Sequence, residues 1–251
     1  MYKNIIKEKL EIKKIKKAGK IASNVLKMIS EYIVPNITTG ELDRICHDYI
    51  IHEEKAFPAC LGYNGFPKST CISINDVVCH GIPNDKQKLK NGDIVNIDVT
   101  IMKNSYHADT SKMFLVGKPT ILGKRLCYVA KKSLDLAIKI IKPNISINEI
   151  GKVIQNYVEK KDFSIVQEYC GHGIGQKFHE DPQILHYYNE NNKFLLKENM
   201  TFTIEPMINA GSHEIKLMRD GWTVKTKDRS LSAQYEHTIL VTKKGSEILT
   251  L

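Results

Sequence analysis

The sequence predicts an α+β fold made of two similar halves, and three observations carry that prediction. A helix that runs into proline and then into a capping turn occurs twice, about a hundred positions apart. A polar lead-in followed by alternating apolar residues and a terminal carboxylate also occurs twice. A second carboxylate opens a further apolar strand in each half. Two copies are too few for a solenoid, and the spacing is too long. They read as one domain over residues 1–251, with halves of about 9–118 and 122–251 related by an approximate two-fold axis and antiparallel strands backed by helices.

In the first half, Ile15, Ala18, Ala22, Val25 and Ile29 recur at three- and four-residue steps. They mark one face of an amphipathic helix over 11–33 that stops at Pro35. Thr38 and Glu41 have capping-box spacing, and a second helix follows to Glu54. Ile94-Val95-Asn96-Ile97-Asp98 reads as a strand ending in an acid, and Asp109 to Val116 as another beginning with one. In the second half a helix over 124–142 stops at Pro143, and Ser146 and Glu149 restate the cap. Ile150, Val153, Ile154 and Tyr157 mark the next helix. Phe202-Thr203-Ile204-Glu205 and Glu236-His237-Thr238-Ile239 restate the strands, matching Asp98 with Glu205 and Asp109 with Glu236. His80-Gly81-Ile82 and His172-Gly173-Ile174 precede the first strand of each half.

Composition narrows the function classes. No apolar run approaches the ~20 residues that span a bilayer, and the N-terminal twenty residues lack the apolar stretch of a secretory signal. A cytoplasmic protein with no membrane partner is expected. The six cysteines form no CxxC pair, which argues against a zinc ribbon and a thioredoxin-like site and for free, mostly buried thiols. The net charge of +9 comes almost wholly from lysine, with only four arginines. Specific nucleic-acid recognition favours arginine, so no specific nucleic-acid partner is expected. The run Lys13 to Lys20 falls beside the apolar helix stripe and reads as a solvated face, compatible with weak docking to a ribosome.

Equivalent positions in a duplicated fold meet near its axis, which brings Asp98, Asp109, Glu205 and Glu236 together among apolar strands. Buried bare carboxylates cost several kcal/mol each. They must share protons, pair with a base or bind cations, and cations fit best because histidine is a natural further ligand. Two ions bridged by carboxylates sit ~3.5–4 Å apart, the spacing that activates a hydrolytic water. Competing motifs fail. No His-Glu dipeptide has a second histidine at the HExxH spacing, no GxSxG occurs, and Gly171-His172-Gly173-Ile174-Gly175 lacks phosphate-loop spacing.

Several stretches carry a more specific likeness: Pro58-Ala59-Cys60-Leu61-Gly62-Tyr63, Val78-Cys79-His80-Gly81-Ile82-Pro83, Asn96-Ile97-Asp98-Val99-Thr100, Asp109-Thr110-Ser111, Phe202-Thr203-Ile204-Glu205-Pro206 and Tyr235-Glu236-His237-Thr238. With these the chain resembles the bacterial type I methionine aminopeptidases, metallopeptidases of the pita-bread fold, along essentially its whole length. The resemblance implies removal of the initiator methionine from nascent polypeptides whose second residue is small, by a monomeric enzyme.

It also implies two divalent ions (Co, Mn, Fe or Zn) held by Asp98, Asp109, His172, Glu205 and Glu236. Asp109 and Glu236 would bridge both ions, Asp98 would chelate one, and His172 with Glu205 would complete the other. Glu205, His179 and His80 become the catalytic candidates, the two histidines contacting substrate. Cys60, Tyr63, Phe66, Cys71, Phe178 and Trp222 would line the methionine pocket, where sulfur and aromatic walls suit a thioether. Asn75, Val77 and Ser232 match a monovalent-cation site. Phe66 stands where the family usually has tyrosine, and Ala108 where glycine is common. His47, His52, His186 and His213 read as ordinary core or surface residues. Two other readings stay open: a Xaa-Pro peptidase of the same fold, and a non-catalytic ribosome- or RNA-binding relative.

Overall fold

Helix α1 (Lys9–Ile29) buries the stripe Ile12, Ile15, Ala18, Ile21, Ala22, Val25, Leu26 and Ile29. Lys13, Lys17 and Lys20 stay exposed. The computed structural model describes residues 5–251. The basic run is a solvated face: Lys16 pairs with Glu247 at 2.8 Å, and the Lys14 ammonium lies 4.9 Å over the Tyr106 ring. Each fully buried isoleucine on the stripe contributes roughly 1.5–3 kcal/mol, so core truncation here would be costly. A short 3-10 turn (Ser30–Tyr32) ends the helix ahead of Pro35.

Helix α2 (Thr39–Asp48) starts where expected, with the Glu41 N–H donating to Thr38 Oγ1 at 3.1 Å. It runs on as a wider π turn over Tyr49–Glu53. Helix α3 (Ile121–Ile140) begins a few residues earlier than expected, because Thr120 caps it by accepting the Gly123 N–H. Helix α4 (Asn148–Glu159) corrects the second capping box. Its cap residue is Ile147, and Ser146 Oγ accepts from Asn148 rather than from Glu149. Ser146 Oγ instead donates to the Asn192 carbonyl at 3.2 Å, which draws it away from the helix end.

The turns before α2 and α4 are nonetheless built alike. Asn36 N–H donates to Leu89 O and Leu89 N–H to Ile37 O, both at 2.8–2.9 Å. Asn144 N–H donates to Leu196 O and Leu196 N–H to Ile145 O, both at 2.8 Å. Asn36 and Asn144 share a left-handed φ, of 77° and 69°, tolerated by a short amide side chain.

Among the described residues, a nine-stranded antiparallel sheet forms the centre. Its middle runs Ile94–Lys103, Tyr106–Leu115, Glu236–Val241, Thr201–Ile204 and Gly171–Gly173, with Cys71–Ile74 alongside Ile94–Lys103. Asp98 lies opposite Ser111, and Ile204 opposite His237. With Ile97 and Asp98 equivalent to Ile204 and Glu205, Glu236 takes the place of Ser111 rather than of Asp109. The two expected matches, Asp98 with Glu205 and Asp109 with Glu236, therefore differ in register by two residues. A slip of two keeps the side chain on the same face, because strand side chains alternate. One apolar cluster joins α1 and α2 to the strands around Val95–Val99, and another joins α3 and α4 to Phe202, Ile204 and Ile239. No helix of the described residues is long and apolar enough to cross a membrane.

Candidate metal centre

Carboxylates end up here because strand alternation aims them at one face while their neighbours fill the core. Ile97 and Val99 flank Asp98, and Ala108 and Thr110 flank Asp109, all buried. Asp109, His172 and Glu236 bring one side-chain donor atom each within 4.8 Å of one another. His172 Nε2 lies 3.6 Å from Glu205 Oε1 and 4.0 Å from Asp109 Oδ2. The carboxyl of Asp98 contacts that of Asp109, and Asp98 and Glu205 both bear electrostatically on Glu236. All five sequence candidates thus share one site.

Threonines fix the frame. Thr100 Oγ1 donates to Asp109 Oδ1 at 2.9 Å, and Thr203 Oγ1 to Glu205 Oε1 at 2.7 Å. Thr238 Oγ1 accepts from Asp109 N–H at 2.9 Å and donates to Asp109 O at 2.8 Å. Gln234 Nε2 donates to Glu205 Oε2 at 3.3 Å, leaving each Glu205 oxygen one donor. His172 Nδ1 contacts Gly173 O at 3.0 Å, an arrangement that places the proton on Nδ1 and leaves the Nε2 lone pair facing the acids.

Burial lifts the Asp98 and Glu236 carboxyls well above the ordinary range, with neighbouring carboxylates, Asp109 first, adding in the same direction. Burial also raises Asp109, against the opposing pull of His172 and the Thr100 hydroxyl. Glu205 is pushed up to about 8 by burial and then by the charge of Asp109. Burial lowers His172, so its imidazole is neutral near pH 7. Among the described residues, these acids make their ion pairs with His172 alone. Asp98 Oδ1 and Glu236 Oε1 are buried without a hydrogen-bond partner among the described residues. Such oxygens are costly unless something positive meets them. Oxygen and imidazole donors without thiolate suit divalent cations of the borderline and harder kind, so the residues fit the expected metal.

Beside the acids lies an apolar cluster, the candidate wall of a methionine slot. Cys60, Phe66 and Cys71 form its buried wall, with Ile82, Phe178 and Trp222 packed on it. The Phe66 and Trp222 rings meet edge-on at 5.1 Å, and Tyr63 and Phe178 at 4.8 Å. Cys60 Sγ and Thr100 Oγ1 are 3.4 Å apart, which joins slot to acids. His179 Nδ1 is 2.7 Å from the Tyr63 hydroxyl, and its ring centroid is 4.2 Å from that of His172. Burial and the neighbouring histidines lower His179 to about 3. His80 holds a left-handed φ of 54° and meets Tyr169 and Trp222 edge-on. A cleft of about 700 Å³ lined by His172, His179, Cys170, Lys7, Glu180 and Gln183 opens onto this cluster.

The other candidates fall elsewhere. Ser232 N–H donates to Asn75 O at 2.8 Å, and Val77 is buried two residues on. His47 contacts Ser69 Oγ at 2.7 Å, while His52 and His213 are exposed. His186 is more than a core residue: it is buried, and its Nε2 accepts the Glu205 backbone N–H at 3.1 Å. Sequence reasoning also missed Thr203, Thr238 and Gln234, which hold the acids. The strand threonines were visible, and alternation alone would have put Thr203 on the opposite side from Ile204. Their partners were not visible. Of the cysteines, Cys46, Cys60, Cys71, Cys79 and Cys127 are buried free thiols and Cys170 is half-buried, as expected.

Residues 13–243 match the model of metallopeptidase family M24. The chain belongs to this family. It is 65% identical over 247 residues to the methionine aminopeptidase of Buchnera aphidicola subsp. Baizongia pistaciae, covering 98% of this chain and 93% of that protein. The methionine aminopeptidase of Rickettsia prowazekii superposes with a TM-score of 0.95 at 50% identity, covering 98% and 99% of the two chains. The prolidase of Pyrococcus furiosus is more distant, with a TM-score of 0.77 at 25% identity, and this chain covers 65% of it. The pita-bread fold implied by the resemblance is thereby borne out.

Proposed function

We infer that the chain is a methionine aminopeptidase that removes the initiator methionine from nascent polypeptides with a small second residue. One observation carries the reading: buried carboxylates, two of whose oxygens lack a partner among the described residues, stand directly beside an apolar cluster of sulfur and aromatic side chains. The acids suit a hydrolytic metal centre, and the slot suits one thioether side chain. We read residues 1–251 as a single catalytic domain of two halves.

In this reading Asp98, Asp109, His172, Glu205 and Glu236 hold two divalent ions from among Co, Mn, Fe and Zn. When bound, such ions acidify water and polarise a carbonyl oxygen. Glu205 takes the proton from water at a carboxyl oxygen and later delivers it to the departing amine. Thr203 and Gln234 steady one oxygen each, so the proton moves at a fixed position. The Tyr63 hydroxyl donates to His179 Nδ1, which leaves the proton of the neutral ring on Nε2. That N–H faces the cleft and donates to the oxygen of the scissile bond as it gains charge. His80 contacts the amide being released. Asp98 sits where the free amine of residue one arrives, which restricts cleavage to the terminus. Cys60, Tyr63, Phe66, Cys71, Phe178 and Trp222 enclose the methionine side chain. Asn75, Val77 and Ser232 form a secondary monovalent-cation site. The protein acts as a cytoplasmic monomer, with weak ribosome docking through its lysines.

The test is to strip metal, re-supply each ion in turn (Fe(II) under anaerobic conditions), and assay a Met-Ala-Ser peptide beside a Xaa-Pro peptide. Loss and recovery of Met-Ala-Ser cleavage is the expected result. Cleavage of the Xaa-Pro peptide instead would move the assignment to the prolidase-like branch. Inactivity with every ion, together with tight RNA affinity, would make the chain a binding module.

A further inference from the structure

We propose that Lys7 is a positioning residue for the loop that presents His179, acting through Glu180. The inference rests on the reading that His179 takes part in the reaction. Lys7 and Glu180 lie far apart in sequence, yet their side chains form an ion pair that is 5% and 10% exposed respectively. The backbone of Lys7 is itself tied down. Its N–H donates to Asn199 O at 2.8 Å, and Ile6 bridges to Met200. These anchors stand immediately before the Thr201–Ile204 strand that leads into Glu205.

Glu180 divides its two oxygens. Oε2 takes the Lys7 ammonium, while Oε1 accepts the Lys177 N–H at 3.0 Å. Gly175 N–H donates to Lys177 O at 3.1 Å, and Gly173 pairs with Glu180 across the strand. The loop from Gly175 to His179 is therefore closed at its base by one carboxylate. The lysine stem lies against that base: a Cβ on Gly175 would sit 2.8 Å from Lys7 Cε and Nζ and 2.9 Å from Glu180 Oε1. A side chain at this position would have to push the end of the lysine and the glutamate carboxylate aside.

What the loop presents is Phe178, packed on the methionine slot, and His179, bonded to Tyr63. Without Lys7, Glu180 is left as a largely buried acid with no counter-charge among the described residues, and water is its better partner. Turning outward, it releases the Lys177 N–H and loosens the base of the loop. The His179 imidazole then loses its fixed distance from the acids, and misplacement on the ångström scale costs catalysis about 100-fold. Lys7, to which the sequence alone assigns no role, would on this view be part of the working site.

The test uses the metal-reconstituted full chain with Met-Ala-Ser peptide and compares Lys7→Met, Glu180→Gln, the double variant, His179→Ala, and Lys7→Met in the His179→Ala background. Lys7→Met keeps the stem on Gly175 and removes only the charge. The expected result is a kcat lowered by about 10- to 100-fold with KM within about threefold and metal content unchanged. Neutralising Glu180 as well should recover about tenfold of that loss, since no bare charge remains. In the His179→Ala background Lys7→Met should change nothing further. A kcat within twofold of the parent, or an equal added loss in that background, overturns the proposal. If Lys7→Met does not fold, Glu180→Gln carries the same comparison, and failure of both to fold makes the pair scaffold and overturns it too. Full activity of His179→Ala alone would instead overturn the catalytic reading of His179, a separate result.

Discussion

The acid cluster and the methionine slot adjoin each other but are made by different parts of the chain. Asp98, Asp109, His172 and Glu236 sit on strands of the central sheet, with Glu205 one residue past the end of another. Asp109 and Glu205 are held by hydrogen bonds from Thr100, Thr203 and Thr238, which belong to strands of the same sheet. The slot draws only Cys71 from a strand of that sheet, whereas Cys60, Tyr63, Phe66, Phe178 and Trp222 come from turns and short helical pieces. Chemistry that tolerates little displacement rests on paired backbone, and selectivity rests on loops. Substitutions in the cluster should therefore act steeply and those in the slot gently.

The largest effect is expected from Glu205→Ala. Removing the proton carrier takes away a contribution of about 10²–10⁴ in kcat, and the lost ligand adds to it, so turnover of Met-Ala-Ser should fall below detection. The fold should persist, because Ile204 and Phe202 are untouched, and circular dichroism with ion content would check that. Activity near the parent level would contradict the assignment of Glu205 and with it the proposed division of labour.

Metal removal should reverse the pH dependence of stability. In the metal-free protein Glu205 is raised to about 8, and Asp98 and Glu236 are raised as well. The folded state thus holds more protons than the unfolded one from about pH 4.5, the ordinary glutamate value, up to about pH 8. Stability is full below that window and is lost as pH rises through it. A Tm lower by about 5–10 °C at pH 8 than at pH 5 is expected for chelator-treated protein. Loading with Mn(II) should abolish or invert the slope, because ions bind the deprotonated acids. Parallel melting curves for both forms would show the cluster carries no such charge burden if they run together with pH.

Much of this site was legible because its residues obey period-two rules within short segments. The alternation around Ile97-Asp98 and Ile204-Glu205 puts each acid at the end of an apolar run, and the helix–proline–cap repeat relates the two places. The matches of Asp98 with Glu205 and of Asp109 with Glu236 disagree in register by two residues, since strand register depends on ladder pairing that sequence spacing does not contain. The Ser146 cap misread has a similar origin: Asn192, far along the chain, competes for that hydroxyl. His186 and the Lys7–Glu180 pair were illegible for the same reason. Their meaning lies in one long-range contact each, and no local pattern announces it.

The gentlest change is expected at Phe66, where the resembling family usually carries tyrosine. The ring is 3% exposed and meets Trp222 edge-on, so it acts as wall rather than as a reacting group. Phe66→Tyr adds one hydroxyl to that wall and removes no methylene from contact with substrate. Burying a hydroxyl is unfavourable unless it finds a partner or the open side of the slot, so a small loss of stability is expected, on the order of 1 kcal/mol. The ring's aromatic partner is Trp222 rather than His179, and kcat/KM for Met-Ala-Ser should stay within about threefold, any change appearing in KM. A tenfold or larger fall in kcat would mean that the slot wall steers the reacting bond. The separation between strand-borne chemistry and loop-borne selectivity would then fail at the place where the two regions meet.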